Sequence, residues 1–316
     1  MKKHYLDNYK ELSTNSLQVP CENNIAKVDD LIVKSTLERM LIERLEVKSN
    51  RFSQVLKLCK NDWEAALYQF LAKYFGFKVN AIPFELLATS ISYSVIRKHT
   101  NNLFQLEALL FGQAGFLSND FKGSYPNDLK KEYLFLKNKY QLIPIDNSLW
   151  KFMRMRPTNF PTIRIAQFAT LLSKGAIFQK VVDGNNAQEL KDIFKIDASE
   201  YWKTHFRFDQ PAANKRIKKF GDGSIDILLI NTVLPMIFIY SKSKGLDELT
   251  NEVLKLYSEL KPEKNSIITT WNGLNIKSEN AADSQALLQL KSNYCDLNKC
   301  LTCSIGNSII KSKTDD

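Results

Sequence analysis

Glycine and proline are scarce, 11 and 9 in a chain of 316 residues, and an all-β fold would need more of both for its turns. Histidine is scarcer still. His4, His99 and His205 are the whole set, none has an evident catalytic partner, and neither HExxH nor GxSxG occurs. Behind Lys2 and Lys3 no apolar run follows, so MKKHYLDNYKELSTN predicts neither a signal peptide nor an anchor, and a cytoplasmic chain is expected. The most membrane-like stretch, Ile225 to Tyr240, is shorter than the ~20 residues that span a bilayer. It is also interrupted by Asp226, Asn231 and Pro235. A buried, proline-kinked core helix is expected there, with no membrane partner.

What is present favours helices. Hydrophobic residues make up 44% of the chain, enough for a substantial core, and their spacing is mostly helical. The expected fold is all-α: one irregular body of roughly a dozen helices over 29–310, with no substantial sheet. Residues 1–28 read as a lead-in or tail, 311–316 as a second tail, and 210–223 as a hinge. The net charge of +10 suggests affinity for polyanions, nucleic acid above all. A Lys-rich solvated exterior gives the same charge.

The stretch Leu149–Ser173 organises the rest. Leu149, Phe152 and Met153 share a helical face, and Pro157 ends that turn. Asn159 or Thr158 is placed to cap a second helix that tolerates Pro161 in its first turn. In that helix Ile165, Phe168, Ala169 and Leu172 form an apolar stripe, widened by Ile163 and Leu171, which leaves Arg164, Gln167 and Lys174 facing solvent. Capping boxes are expected at Ser35/Glu38, Asn61/Glu64 and Asp197/Glu200, the last ahead of YWKTHFRFD. Gly112 and Gly115 fit a frayed helix end better than a close helix approach.

Two constellations could carry chemistry. Cys295, Cys300 and Cys303 form a CxxxxCxxC pattern, and soft thiolates at that spacing suit zinc or an iron–sulfur cluster. Cys21, after Pro20, is the best fourth ligand, ahead of Cys59 in a helical pattern and His205. Three reduced surface thiols are the plain alternative. The second is a set of cations for phosphate: Arg154, Arg156 and Arg164, with Lys203 and Arg207 among the aromatics of YWKTHFRF and the basic run NKRIKK behind them. Core packing of those rings, and pairing of the arginines with buried carboxylates or carbonyls, compete with that reading. Asp183, Glu189 and Lys191 spell a nuclease-like D…ExK, but a helical Glu189 makes it a coincidence.

The runs PCENNI, ERMLIERLE, NDWEAALYQFLAKYFGFKVNAIPFELLA, SLWKFMRMRPTNFPTIRIAQFA, YWKTHFRFD and YCDLNKCLTCSIGN are similar to the C-terminal helical part of a mostly Bacteroidetes family, domain of unknown function 2851. The likeness covers about residues 17 to 310. It implies a missing N-terminal half with a restriction-nuclease-like pattern, so that nuclease chemistry would lie elsewhere. It also puts Cys21, Cys295, Cys300 and Cys303 on cysteines of the family pattern. The expected function is a noncatalytic accessory module of a nuclease-like protein, contacting nucleic acid and stabilised by a cysteine-bound metal. A scaffold docking a separately encoded nuclease-like partner is the alternative, and an independent hydrolase comes last.

Overall fold

The computed structural model describes residues 3–15 and 17–312. Most of the predicted C-terminal tail therefore lies outside the described residues. Helix accounts for 66% of the chain, and the fold is essentially all-α as expected. In chain order come α1 (Lys3–Thr14), α2 (Asp30–Leu58), α3 (Trp63–Phe75), α4 (Ala81–Ser90), α5 (Tyr93–Lys98), α6 (Leu103–Gln113), α7 (Ser124–Tyr140) and α8 (Pro161–Ser173). There follow α9 (Ile177–Val182), α10 (Ala187–Ile193), the strands β1 (His205–Arg207) and β2 (Gln210–Pro211), α11 (Asp222–Leu228) and α12 (Leu234–Lys244). The chain continues through α13 (Asp247–Glu259), α14 (Ser266–Gly273), α15 (Ala281–Leu290) and α16 (Ser304–Lys311).

These elements fall into two compact units. Unit 1 comprises residues 1–51 and 238–316, and unit 2 comprises 52–237, so the former is assembled from both ends of the sequence. The predicted lead-in is helical over α1, which packs against α16. Asn8 joins the two, its side-chain amide donating to the carbonyls of Ile309 (3.3 Å), Ile310 (3.2 Å) and Ser312 (3.1 Å) at the C-terminal end of α16, where carbonyls run short of intrahelical donors. Helices α13 and α14 pack on α15 in the same unit.

Unit 2 is centred on α8, where every residue from Pro161 to Leu172 except Thr170 is buried. Phe168 lies 5.0 Å from Phe75 and 5.7 Å from Tyr68, ring centre to ring centre. Burial of such side chains is worth about 1.5–3 kcal/mol each. Helices α3 and α4 pack together, as do α6 and α7. Gly112 serves that second contact, because a Cβ there would fall 2.0 Å from Cγ of Tyr133. Close approach, rather than fraying, is its role.

Several local expectations are corrected. No helix forms before Pro157: a 3₁₀ turn over Asn147–Leu149 is followed by irregular chain in which Arg154 is left-handed. The N-cap of α8 is Phe160, while Asn159 spends its side-chain oxygen on Arg164. Helix α2 starts ahead of Ser35, and Asp62, one residue after Asn61, caps α3 through the Ala65 amide at 3.0 Å. The box at Asp197/Glu200 opens only a 3₁₀ turn, Glu200–Lys203, that leads into the antiparallel β1–β2 hairpin. The apolar helix is longer than its hydrophobic core suggested. Asp222–Lys244 is one 23-residue helical run, long and apolar enough by those two measures to cross a membrane, with 61% of its apolar window buried. Its middle, Leu229–Val233, widens to a π-turn just before Pro235, whose missing N–H and bulky ring strain a regular α-helical turn at that place.

Candidate functional site

In unit 1, Cys21 follows the turn at Pro20, and Cys295 ends a π-turn (Lys291–Cys295) that prolongs α15. Cys300 lies in the next turn and Cys303 is the N-cap of α16. All four line one cavity of about 20 Å³, together with Pro20, Tyr294, Lys299 and Gly306. Cys21, Cys300 and Cys303 are only 7%, 7% and 8% exposed, and all are free thiols. Gly306 lets the first turn of α16 close on this loop, since a Cβ there would meet the Cys300 carbonyl oxygen at 2.6 Å. Tyr294 is held from outside by its hydroxyl donating to both carboxylate oxygens of Glu43 at 3.0 Å.

The thiols feel one another. Burial first, then the neighbouring Cys303 and Cys300, push Cys21 up to about 12. Burial followed by Cys21, Cys303 and Cys300 likewise raises Cys295. Burial and Cys303 raise Cys300. Among the described residues, no three His, Cys, Asp or Glu side chains are arranged as they stand to hold a metal ion. The cysteines share a cavity without being drawn into a ligand shell. Cys59 is in the turn after α2, half-buried rather than in the core, and His205 is in the hairpin of unit 2 with its ring 4.1 Å from that of Tyr201.

The predicted cations separate into two kinds. Arg164 does not face solvent: it is 5% exposed, between the rings of Phe77 (4.6 Å) and Phe220 (4.8 Å). It donates to Gln167 Oε1 at 2.9 Å and Asn159 Oδ1 at 2.7 Å, so neutral oxygens and aromatic faces hold the charge. Burial lowers its pKa to about 10. Gln167, also expected at the surface, is fully buried and donates to the Lys218 carbonyl at 2.9 Å. Lys203 is paired with Glu200 at 2.5 Å.

Arg154, Arg156 and Arg207 form the second kind. The first two are exposed on the 150–156 loop, and neither side chain has a hydrogen-bond or ion-pair partner among the described residues. Asn80, itself buried, anchors that loop by gripping the backbone of Lys151 twice, accepting from its N–H and donating to its carbonyl, both at 2.9 Å. The Arg207 guanidinium lies over Phe152 (4.1 Å) and Phe160 (5.1 Å), a contact that leaves its N–H edge uncommitted. The neighbouring rings are mostly packing: Trp202 is buried, and Phe208 stands 5.1 Å from both Phe111 and Trp202.

One group escaped sequence reasoning. Glu107, on α6, is 1% exposed and receives hydrogen bonds from the Tyr125 hydroxyl and from Ser199 at 2.8 Å, with no cation paired to it among the described residues; the Trp202 indole N–H is near but outside bonding geometry. Burial raises its carboxyl to about 7, against a smaller lowering by those hydroxyls. The available signal was a lone carboxylate amid the apolar run of 101–117. The D…ExK residues do not converge. Asp183 is bound by Gln179, Glu189 by Asn185 and Asn186, and Lys191 pairs with Asp226 at 2.8 Å.

No curated protein and no solved structure matches the chain. The family model described as Protein of unknown function (DUF2851) matches residues 1–266. The match takes in Cys21 and the basic loop and ends before Cys295, Cys300 and Cys303. With most of its length matched, the chain belongs to this family of proteins of unknown function, DUF2851.

Proposed function

We propose that the chain is a noncatalytic module that contacts the phosphate backbone of nucleic acid through unit 2, as an accessory to a nuclease-like protein. One observation carries this reading. Residues 52–237 hold 25 Lys and Arg against 16 Asp and Glu, whereas the remainder holds 19 against 18, so nearly all of the net charge belongs to one unit. Within it, Arg154 and Arg156 are exposed and Arg207 is half-buried, none of the three has a carboxylate partner among the described residues, and their backbone is steadied by Asn80 and β1. Guanidinium groups so held suit phosphate oxygens. Arg164 and Lys203 drop out of the contact set because one is buried and the other ion-paired.

Anisotropy of a labelled DNA duplex over a series of salt concentrations tests it. Three phosphate contacts imply a log–log salt slope near −2.7 and an affinity loss of about 40-fold between 50 and 200 mM salt. Replacing Arg154, Arg156 and Arg207 together with Ala should flatten that slope towards zero. Absence of binding at the lowest salt, or an unchanged slope in the triple variant, would overturn the proposal.

A second reading, a scaffold for a separately encoded nuclease-like partner, draws on Met153. Its side chain is 84% exposed on the same loop as the two free arginines, an apolar anchor of the kind protein interfaces use. Met153→Asp should abolish capture of the product of an adjacent nuclease-like gene if that reading holds.

A further inference from the structure

We propose that Cys21, Cys295, Cys300 and Cys303 bind one zinc-class ion as four thiolates, a structural site that closes unit 1 by tying its N-terminal segment to its C-terminal one. This is independent of the nucleic-acid reading, which concerns unit 2. Three observations converge on it. First, four of the five cysteines in the chain line a single cavity although Cys21 lies far from the others in sequence. Second, the cavity measures about 20 Å³, and about 10–15 Å³ suffices for one water-sized sphere, so it has room for a single ion but not for a cubane cluster. Third, the local backbone favours close approach: Gly306 admits the first turn of α16 against Cys300, and Cys303 sits at the N-cap where amide N–H groups lack helical partners.

Soft divalent ions are the matching ligand class. Four sulfur donors with no open position make a structural rather than a catalytic site. Binding displaces four protons, one from each thiol, and leaves a metal–tetrathiolate of charge −2. The present arrangement falls short of a ligand shell, so loading includes an inward movement of the sulfurs, and Asn8, which joins α1 to α16, keeps the two segments within reach.

Elemental analysis of the full chain, purified under reducing conditions, should find one zinc per chain. Cobalt(II) substituted for zinc should show the thiolate charge-transfer and tetrahedral d–d absorptions of a sulfur-rich site. In competition with a chromophoric chelator, Cys21→Ser should bind zinc at least tenfold more weakly, whereas Cys59→Ser, in unit 2, should match wild type. Should Cys21→Ser fail to fold, alkylation of the wild-type chain provides the readout: chelator should expose four additional thiols. No stoichiometric metal, iron with acid-labile sulfide, disulfides among these cysteines in the purified chain, or a folded Cys21→Ser chain with wild-type zinc affinity would each overturn the assignment.

Discussion

The two units of this chain solve opposite electrostatic problems. Unit 1 is almost neutral, with 19 basic residues against 18 acidic, and gathers four polar but uncharged thiols into its interior. Unit 2 carries nine more cations than anions, yet it buries Arg164 and Glu107 separately, each among neutral partners instead of against the other sign. Ionised groups without counter-charges are costly to bury and depend on hydrogen bonds and, for Arg164, on aromatic faces. Unit 2 thus relies on packing to hold charges in place, while unit 1 turns four sulfurs towards one small cavity.

That contrast is broken most forcefully in the aromatic core. Phe168→Ala removes a fully buried ring that touches Tyr68, Phe75 and Phe84 and should cost about 3–5 kcal/mol. Hydrogen exchange should register the loss in α3, α4 and α8. Wild-type protection in those helices would show that α8 is not the centre of unit 2.

The next largest effect comes from Glu107. Its folded carboxyl titrates near 7 against 4.5 in the unfolded chain, so between these values the folded state holds the extra proton and stability falls as pH rises. Glu107→Gln keeps the shape and discards the titration. The variant should exceed wild type by up to about 3 kcal/mol above pH 7, and the difference should vanish below pH 4.5. Denaturant melts at pH 5 and pH 8 decide it, and a variant that gains nothing between them would refute the assignment.

Unit 1 should show the reverse slope. Lys48, which donates to Gln285 Oε1 at 2.6 Å, is lowered to about 7, by burial first and then by Arg44. From there up to 10.5 the unfolded chain holds the extra proton, so stability rises with pH across that window. Lys48→Met should abolish the alkaline gain in melts taken between pH 7 and pH 10. A wild-type slope in the variant would assign the gain to another group.

The helical class and the centrality of α8 were legible because apolar periodicity reports burial directly. Which polar residues on α8 face water was not. The partners that bury Arg164 and Gln167, namely Phe77, Phe220 and the Lys218 carbonyl, come from segments remote in sequence, and periodicity within one helix carries no trace of them. The CxxxxCxxC spacing marked three of the cavity-lining cysteines. Cys21 joins them through the packing of α1 on α16, the latter a helix that sequence reading passed over inside a stretch judged by its thiols alone. The hairpin was missed for a simpler reason: alternating aromatic and basic residues over Tyr201–Phe208 fit either period, and Asp209, left-handed and accepting from the amides of Lys122 and Gly123, settles the turn.

The smallest expected effect probes how unit 1 is closed. The Asn8 amide serves three carbonyls at the end of α16, and hydrogen bonds of this kind contribute about 1 kcal/mol net. Asn8→Ala should therefore lower the stability of the metal-free chain by about 1 kcal/mol. If zinc also joins the two ends of the sequence, part of that loss should disappear in the loaded chain, because the ion supplies a second tie between the same segments. Melts of wild type and Asn8→Ala, each with zinc and with chelator, form a double cycle whose coupling term is the quantity of interest. A penalty of equal size in both states would mean that the α1–α16 contact and the cysteine cavity act independently, and that unit 1 is closed at two places which do not communicate.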